Sequence, residues 1–134
     1  MKNRYLCPQC RSDLKIVDHI IFSAKTQKGI KGILLISPEL GDYTILHDDQ
    51  FRYEQGEHID LFCPVCQGNL AIPAVDKDLA EVILIDEKGV EYEIIFSEVA
   101  GKKCTIKMKD KKIVESYGDD VDEYTNYWGA GPQY

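Results

Sequence analysis

The sequence CPQCRSDL at residues 7–14 recurs as CPVCQGNL at residues 63–70, and this repeated octapeptide is the strongest structural signal in the chain. Both copies read C-P-x-C-x-x-[D/N]-L. A turn of this kind brings two thiolates to one metal ion, and two turns supply the four sulfur ligands that structural zinc prefers. The spacing therefore predicts one structural zinc site. Its four predicted ligands are Cys7, Cys10, Cys63 and Cys66.

The other residues of each octapeptide are also typical of a metal-binding turn. Proline after the first cysteine fixes φ and removes one backbone donor, and the remaining amides can point at the sulfurs. Asp13 and Asn69 are turn formers whose side chains bond their own backbone. Leu14 and Leu70 each begin a hydrophobic run, so we expect each turn to lead into a β-strand.

The two CPxC octapeptides resemble the knuckles of zinc-ribbon and rubredoxin-like proteins, in which two knuckles face each other across one metal ion. The resemblance covers these octapeptides alone and implies one structural zinc. Two features depart from the usual pattern. Arg11 and Gln67 occupy positions where many members have glycine, and 52 residues separate Cys10 from Cys63.

Disulfide or redox chemistry is the alternative use of these cysteines. Residues 1–6 lead directly into the first cysteine, so the sequence predicts no targeting segment and a reducing cytoplasm. Paired cysteines in such a compartment favour metal binding. A thioredoxin-like pair belongs in a βαβ setting, and the sequence predicts no helix after either pair.

Charge disfavours nucleic acid as a partner. The 134 residues carry a net charge of −7, and residues 71–134 hold 14 acidic against 8 basic side chains. Such a surface is repelled by phosphate backbones. No apolar run is long enough to span a membrane. One basic cluster interrupts the acidic second half and is interpreted as an edge hairpin, or as a surface for an acidic partner or the acidic tail. It comprises Lys102, Lys103, Lys107, Lys109, Lys111 and Lys112.

Short β-branched and alternating segments predict a mainly β fold with one domain at residues 1–118. We expect a zinc ribbon with a β-meander insert over residues 1–72, packed beside a second small antiparallel sheet at residues 79–117. Gly32 is interpreted as a β-bulge. The recurrence of the knuckle is attributed to shared knuckle geometry, because the following sequences do not align at the same offset. The predicted strands are residues 15–22, 30–37, 43–47, 58–62, 79–85, 90–96, 104–108 and 113–117.

The fifth cysteine is predicted to be structural. Cys104 alternates in phase with Ile106 and Met108, which favours a buried, inert thiol over one activated by the neighbouring lysines.

The three histidines give no metal motif. His19, His47 and His58 are scattered, so we expect exposed or half-buried strand positions, with a ligand role only if a cysteine fails. Four thiolates leave zinc no open position for a catalytic water. The sequence therefore predicts a non-catalytic protein, with no catalytic and no cofactor-binding residue beyond the zinc ligands.

Residues 119–134 form an acidic and then aromatic tail, which we expect either to dock on its own domain or to bind a partner. The sequence therefore favours a non-catalytic protein-interaction (adaptor) module. The alternatives are a nucleic-acid-binding ribbon that uses the lysine cluster and a thiol-based redox or metal-responsive switch. The large anchors for a protein partner are Tyr124, Tyr127, Trp128 and Tyr134.

Overall fold

The computed structural model describes residues 3–73 and 75–121, and every regular element in these residues is a β-strand. The mainly β prediction is confirmed. Within the same residues, no helix is long and apolar enough to cross a membrane. The strands are β1 (Arg4–Leu6), β2 (Lys15–Ile16), β3 (His19–Lys25), β4 (Lys31–Ile36), β5 (Ile45–His47), β6 (Asp60–Phe62), β7 (Ala71–Ile72), β8 (Asp76–Ile85), β9 (Glu91–Ser97), β10 (Thr105–Lys109) and β11 (Lys112–Tyr117).

The strands form two antiparallel sheets, as the sequence predicts. The six-stranded sheet has the order β1-β8-β9-β10-β11, with β7 also paired to β8. The five-stranded sheet has the order β2-β3-β4-β5, with β6 also paired to β3. The tail aromatics lie outside the described residues, so their predicted role stays a prediction.

Each cysteine knuckle connects the two sheets. The first knuckle, residues 7–14, lies between β1 and β2, of which β1 pairs with β8 and β2 pairs with β3. The second knuckle, residues 63–70, lies between β6 and β7, of which β6 pairs with β3 and β7 pairs with β8. The ribbon expected over residues 1–72 is therefore divided between the two sheets, because its strands β1 and β7 belong to the six-stranded sheet.

This exchange of strands follows a structural repeat. Arg4 of β1 lies opposite Ile85 of β8. Asp60 of β6, 56 positions after Arg4, lies opposite Lys25 of β3. The strands that flank the second knuckle have the bounds of those that flank the first, moved by the same 56 positions. The strand before each knuckle thus pairs with the long strand that follows the other knuckle: β1 pairs with β8, and β6 pairs with β3.

The repeat continues beyond the knuckles, so its attribution to knuckle geometry alone is wrong. Ile20 of β3 pairs with Ile36 of β4, and Ala80 of β8, 60 positions after Ile20, pairs with Phe96 of β9. The pairing of β4 with β5 recurs in the same way between β9 and β10. The change of offset from 56 to 60 arises in the longer β7–β8 connection and hides the repeat from comparison at one offset.

Two local predictions are wrong. Residues 15–22 are a tight hairpin because Val17 turns the chain at φ 53°, and Ile16 is left 57% exposed. Gly32 is not a bulge, since the β3–β4 register is continuous through it. Its missing side chain makes room for Phe51, whose Cδ1 atom would lie 2.6 Å from a Cβ at this position.

The main core includes residues from both sheets and the first cysteine of each knuckle. A second, smaller cluster lies on the six-stranded sheet. Cys104 is 1% exposed within this smaller cluster, so its predicted burial is confirmed. The members of the smaller cluster are Leu79, Ile95, Cys104, Ile106 and Met108.

Candidate metal centre

The two knuckles have the same backbone hydrogen bonds. In the first, Cys7 N donates to Ser12 O at 3.0 Å and Arg11 N donates to Cys7 O at 2.9 Å. The second repeats both bonds 56 positions on, with the same distances. Arg11 and Gln67 have φ angles of 65° and 64°, the left-handed conformation that glycine adopts most readily. The sequence places non-glycine residues where the turn geometry favours glycine.

The four predicted ligands lie together, because all four sulfur atoms are within 4.8 Å of one another. Cys7 Sγ lies 3.8 Å from Cys66 Sγ, and Cys10 Sγ lies 3.7 Å from Cys63 Sγ. Four sulfurs at about 2.3 Å from a tetrahedral zinc ion would be roughly 3.8 Å apart. The cluster can therefore hold a metal ion of this size, and all four cysteines are free thiols.

Backbone amides surround the sulfurs. Cys7 Sγ accepts hydrogen bonds from Gln9 N at 3.3 Å and Cys10 N at 3.4 Å. Cys63 Sγ accepts the matching bonds from Val65 N at 3.3 Å and Cys66 N at 3.4 Å. These donors stabilise thiolate charge, so the turns are prepared for a cation before one binds.

The cysteines differ in burial in the same way in both knuckles. Cys7 and Cys63 are fully buried, whereas Cys10 and Cys66 are exposed. Burial raises the pKa of the Cys7 thiol to about 11, and hydrogen bonds from Ser12 lower the pKa of the Cys10 thiol to about 6. The exposed cysteines give a metal ion or a chelator access to the site from solvent.

The knuckles also contact each other directly. Gln9 Nε2 of the first knuckle donates to Asn69 O of the second at 2.7 Å. The Gln9 side chain lies over Gly68, where an added Cβ would be 2.1 Å from its Oε1 atom. The approach of the two turns therefore depends on a small residue at Gly68 as well as on the cysteines.

Two of the predicted lysines and one of the histidines make contacts with aromatic rings. Lys107 and Lys109 share one face of β10, with their ammonium groups 4.2 and 5.9 Å from the centre of the Tyr92 ring. His47 packs beside Tyr53, with ring centres 5.2 Å apart.

The sequence did not predict the acidic surroundings of His58. Its imidazole lies against the carboxylates of Asp60, Asp78 and Glu98. Only the alternation of His58 with Asp60 was visible in the sequence. Burial lowers the pKa of His58, but hydrogen bonding to Asp78 and the nearby carboxylates raise it to a value above normal.

No protein family, no curated protein and no solved structure matches this chain.

Proposed function

We propose that the protein is a non-catalytic protein-interaction module whose two knuckles are joined by one structural zinc ion. The observation that carries the proposal is the sulfur cluster, with separations of 3.7 and 3.8 Å between the knuckles. Bound zinc would supply a crosslink that closes its own coordination shell with four thiolates. The residues fit it because amide donors already surround the two buried sulfurs.

An apolar row on the outer face of the five-stranded sheet supports the interaction role. Ile21, Leu35 and Leu46 lie side by side on β3, β4 and β5, and Ile33 lies next to them. Leu46 and Ile33 are each 46% exposed. Contiguous apolar residues on a protein surface mark sites of contact with other proteins. We assign this face to a protein partner, with the tail aromatics as a second contact.

The zinc assignment is tested by replacing one ligand. Cys10→Ser or Cys63→Ser should release zinc and unfold the knuckles, because structural zinc contributes about 10–16 kcal/mol of apparent binding energy. Metal content by mass spectrometry and thermal unfolding measure the effect. Cys104→Ser is the matched control and should keep one zinc. A ligand variant that retains one equivalent of zinc and the wild-type Tm would contradict the assignment.

The partner role is tested by affinity capture followed by reconstitution with the purified partner. Leu35→Lys with Leu46→Lys should abolish binding, and removal of residues 119–134 should weaken it. Val114→Lys, at a position 49% exposed on β11, is the matched control. Salt-dependent binding of DNA or RNA by the purified protein would favour the nucleic-acid alternative. Ready cycling of the four thiols to disulfides would favour the redox alternative.

A further inference from the structure

A second group of metal-ligand side chains lies where the chain enters β6. His58 Nε2 is 3.0 Å from Asp60 Oδ1 and 3.2 Å from Glu98 Oε1. Asp60 begins β6, and Glu98 directly follows β9. One imidazole nitrogen therefore faces two carboxylate oxygens. A single proton on that nitrogen can be donated well to only one of them.

A third carboxylate orients the imidazole. Asp78 Oδ1 lies 2.8 Å from His58 Nδ1, on the opposite side of the ring from the other two acids. Such a contact holds the proton on Nδ1 and leaves the lone pair of Nε2 free. Histidines that bind metal ions ordinarily have a carboxylate or carbonyl in this place. His58 is thus oriented with a ligand atom directed at Asp60 and Glu98.

Glu98 supplies an independent observation. Glu98 is 3% exposed, and its Oε2 atom accepts a hydrogen bond from Leu61 N at 3.0 Å. Its other oxygen, Oε1, has no hydrogen-bond donor among the described residues. A buried carboxylate oxygen without a donor is costly, because it has lost water and gained nothing in exchange. This oxygen is directed toward His58 Nε2.

The backbone holds Glu98 in this position. Glu98 N donates to Asp78 O at 2.7 Å, and Ile59 N donates to Glu98 O at 2.9 Å. These bonds tie together the three segments that carry the cluster. Pairing thus fixes the backbone of Glu98, and the hydrogen bond from Leu61 N to Oε2 holds its carboxylate.

We propose that His58 Nε2, Asp60 Oδ1 and Glu98 Oε1 bind a second divalent transition-metal ion. Ligands at about 2.0–2.2 Å from an ion, at angles between octahedral and tetrahedral, lie roughly 2.8–3.6 Å apart. The two distances from His58 fall within this range. One nitrogen and two oxygens suit Zn²⁺ or Mn²⁺, and three protein ligands leave room for water on the metal.

A doubly protonated His58 is one competing arrangement, and a protonated Glu98 whose Oε1 donates to His58 Nε2 is another. The imidazolium would donate one proton to Asp78 and one to Asp60, and Glu98 Oε1 would still lack a hydrogen bond. A bound cation gives that oxygen a partner and balances the charge of the carboxylates. The cation therefore accounts for one more atom of the cluster than the imidazolium does.

The structural repeat shows that the cluster is specific to the second half of the chain. The position equivalent to Asp60 holds Arg4, and the position equivalent to Glu98 holds Pro38. The Tyr5 hydroxyl donates to Pro38 O in that region instead. The repeated backbone is thus compatible with quite different side chains here, and the carboxylate–histidine cluster is not imposed by the fold.

Titration of the zinc-loaded protein with Mn²⁺, followed by electron paramagnetic resonance of the free ion, tests the proposal. Mn²⁺ prefers oxygen and nitrogen ligands and will not displace zinc from four thiolates. We expect one equivalent to bind. His58→Gln and Glu98→Gln should abolish binding, and Asp78→Asn should weaken it about tenfold. His47→Gln is the matched control and should bind as the wild type does.

A second measurement covers variants that fail to fold. Nitrogen-15 NMR of the wild-type protein, with zinc added beyond the first equivalent, should show an unprotonated His58 Nε2 whose resonance shifts on metal binding. The proposal is overturned if Nε2 keeps its proton at saturating Zn²⁺. It is equally overturned if no Mn²⁺ binds, or if folded His58→Gln retains wild-type affinity.

Discussion

At the scale of single residues, the knuckles contain non-glycine residues in a backbone conformation that costs them energy. Arg11 and Gln67 have positive φ angles, a conformation that costs an ordinary residue about 1–2 kcal/mol. Arg11 gains an ion pair, with its guanidinium 3.1 Å from Glu91 Oε1. The Gln67 side chain donates one exposed hydrogen bond, to Pro64 O at 3.0 Å. Gln67 is therefore the position where glycine should help most.

Gln67→Gly should stabilise the folded protein by about 0.5–1 kcal/mol, because the relief of strain exceeds the added freedom of the unfolded chain. Chemical unfolding of the zinc-loaded protein measures the change. Gln50→Gly is the control, since Gln50 is exposed and does not have a positive φ. It should destabilise slightly. A loss of stability in Gln67→Gly would show that the side chain contributes more than its geometry costs.

Glu81 makes stability depend on pH. Burial and then the charge and hydrogen bond of Glu93 raise the pKa of Glu81 to about 7. Because the unfolded chain keeps the ordinary value near 4.5, stability is present below that value and is lost as pH rises toward 7. Glu81→Gln should therefore gain about 1 kcal/mol at pH 8.5 and less at pH 6. Chemical unfolding over this pH range measures the effect, and the same pH profile for Glu81→Gln and the wild type would contradict the assignment.

At the scale of elements, the glycine at position 32 of β4 is required by a tertiary contact that sequence patterns do not reveal. Its Cα faces the ring of Phe51, which lies 19 positions further along the chain, in the loop after β5. Phe51 is 1% exposed and belongs to the main core. A glycine within a strand can mark either a bulge or a close approach of another group. Only the tertiary contact distinguishes these two cases.

Gly32→Ala should destabilise the protein by about 1–3 kcal/mol, because the new Cβ would overlap the Phe51 ring. Thermal unfolding with zinc bound measures the effect. The double variant Gly32→Ala with Phe51→Leu should lose less than the sum of the two single variants, since the smaller side chain makes room. Strict additivity would contradict the overlap.

At the scale of the whole molecule, the sequence predicted the two sheets and the four clustered cysteines but not the exchange of strands. Alternation and turn residues report local pairing, as in the β8–β9 hairpin. They do not report that Arg4 pairs with Ile85, because this pairing joins strands that are distant in the sequence. His58 and Glu98 lie 40 positions apart, so their convergence has no local signal either.

The exchange predicts that the chain can be divided into two pieces that need each other. Fragments 1–54 and 55–134, produced together, should form a 1:1 complex with one zinc, because β1 must reach β8 and β6 must reach β3. Native mass spectrometry and circular dichroism test this. Each fragment alone should lack the folded spectrum of the mixture. Two fragments that fold as separate monomers would show that the exchanged strands are dispensable.

Because β1 pairs with β8, the N-terminal strand cannot reach its native pairing until most of the chain has been synthesised. Arg4 leaves the ribosome about 80 residues before its partner Ile85, a delay of roughly 4 to 16 s at about 5–20 residues per second. Throughout that interval the N-terminal strand lacks its native partner β8, and for much of it Cys7 lacks Cys66. A nascent chain that has emerged only through β5 therefore exposes apolar strands to chaperones. It also exposes the thiols of Cys7 and Cys10, which do not yet have Cys63 and Cys66 beside them, to zinc.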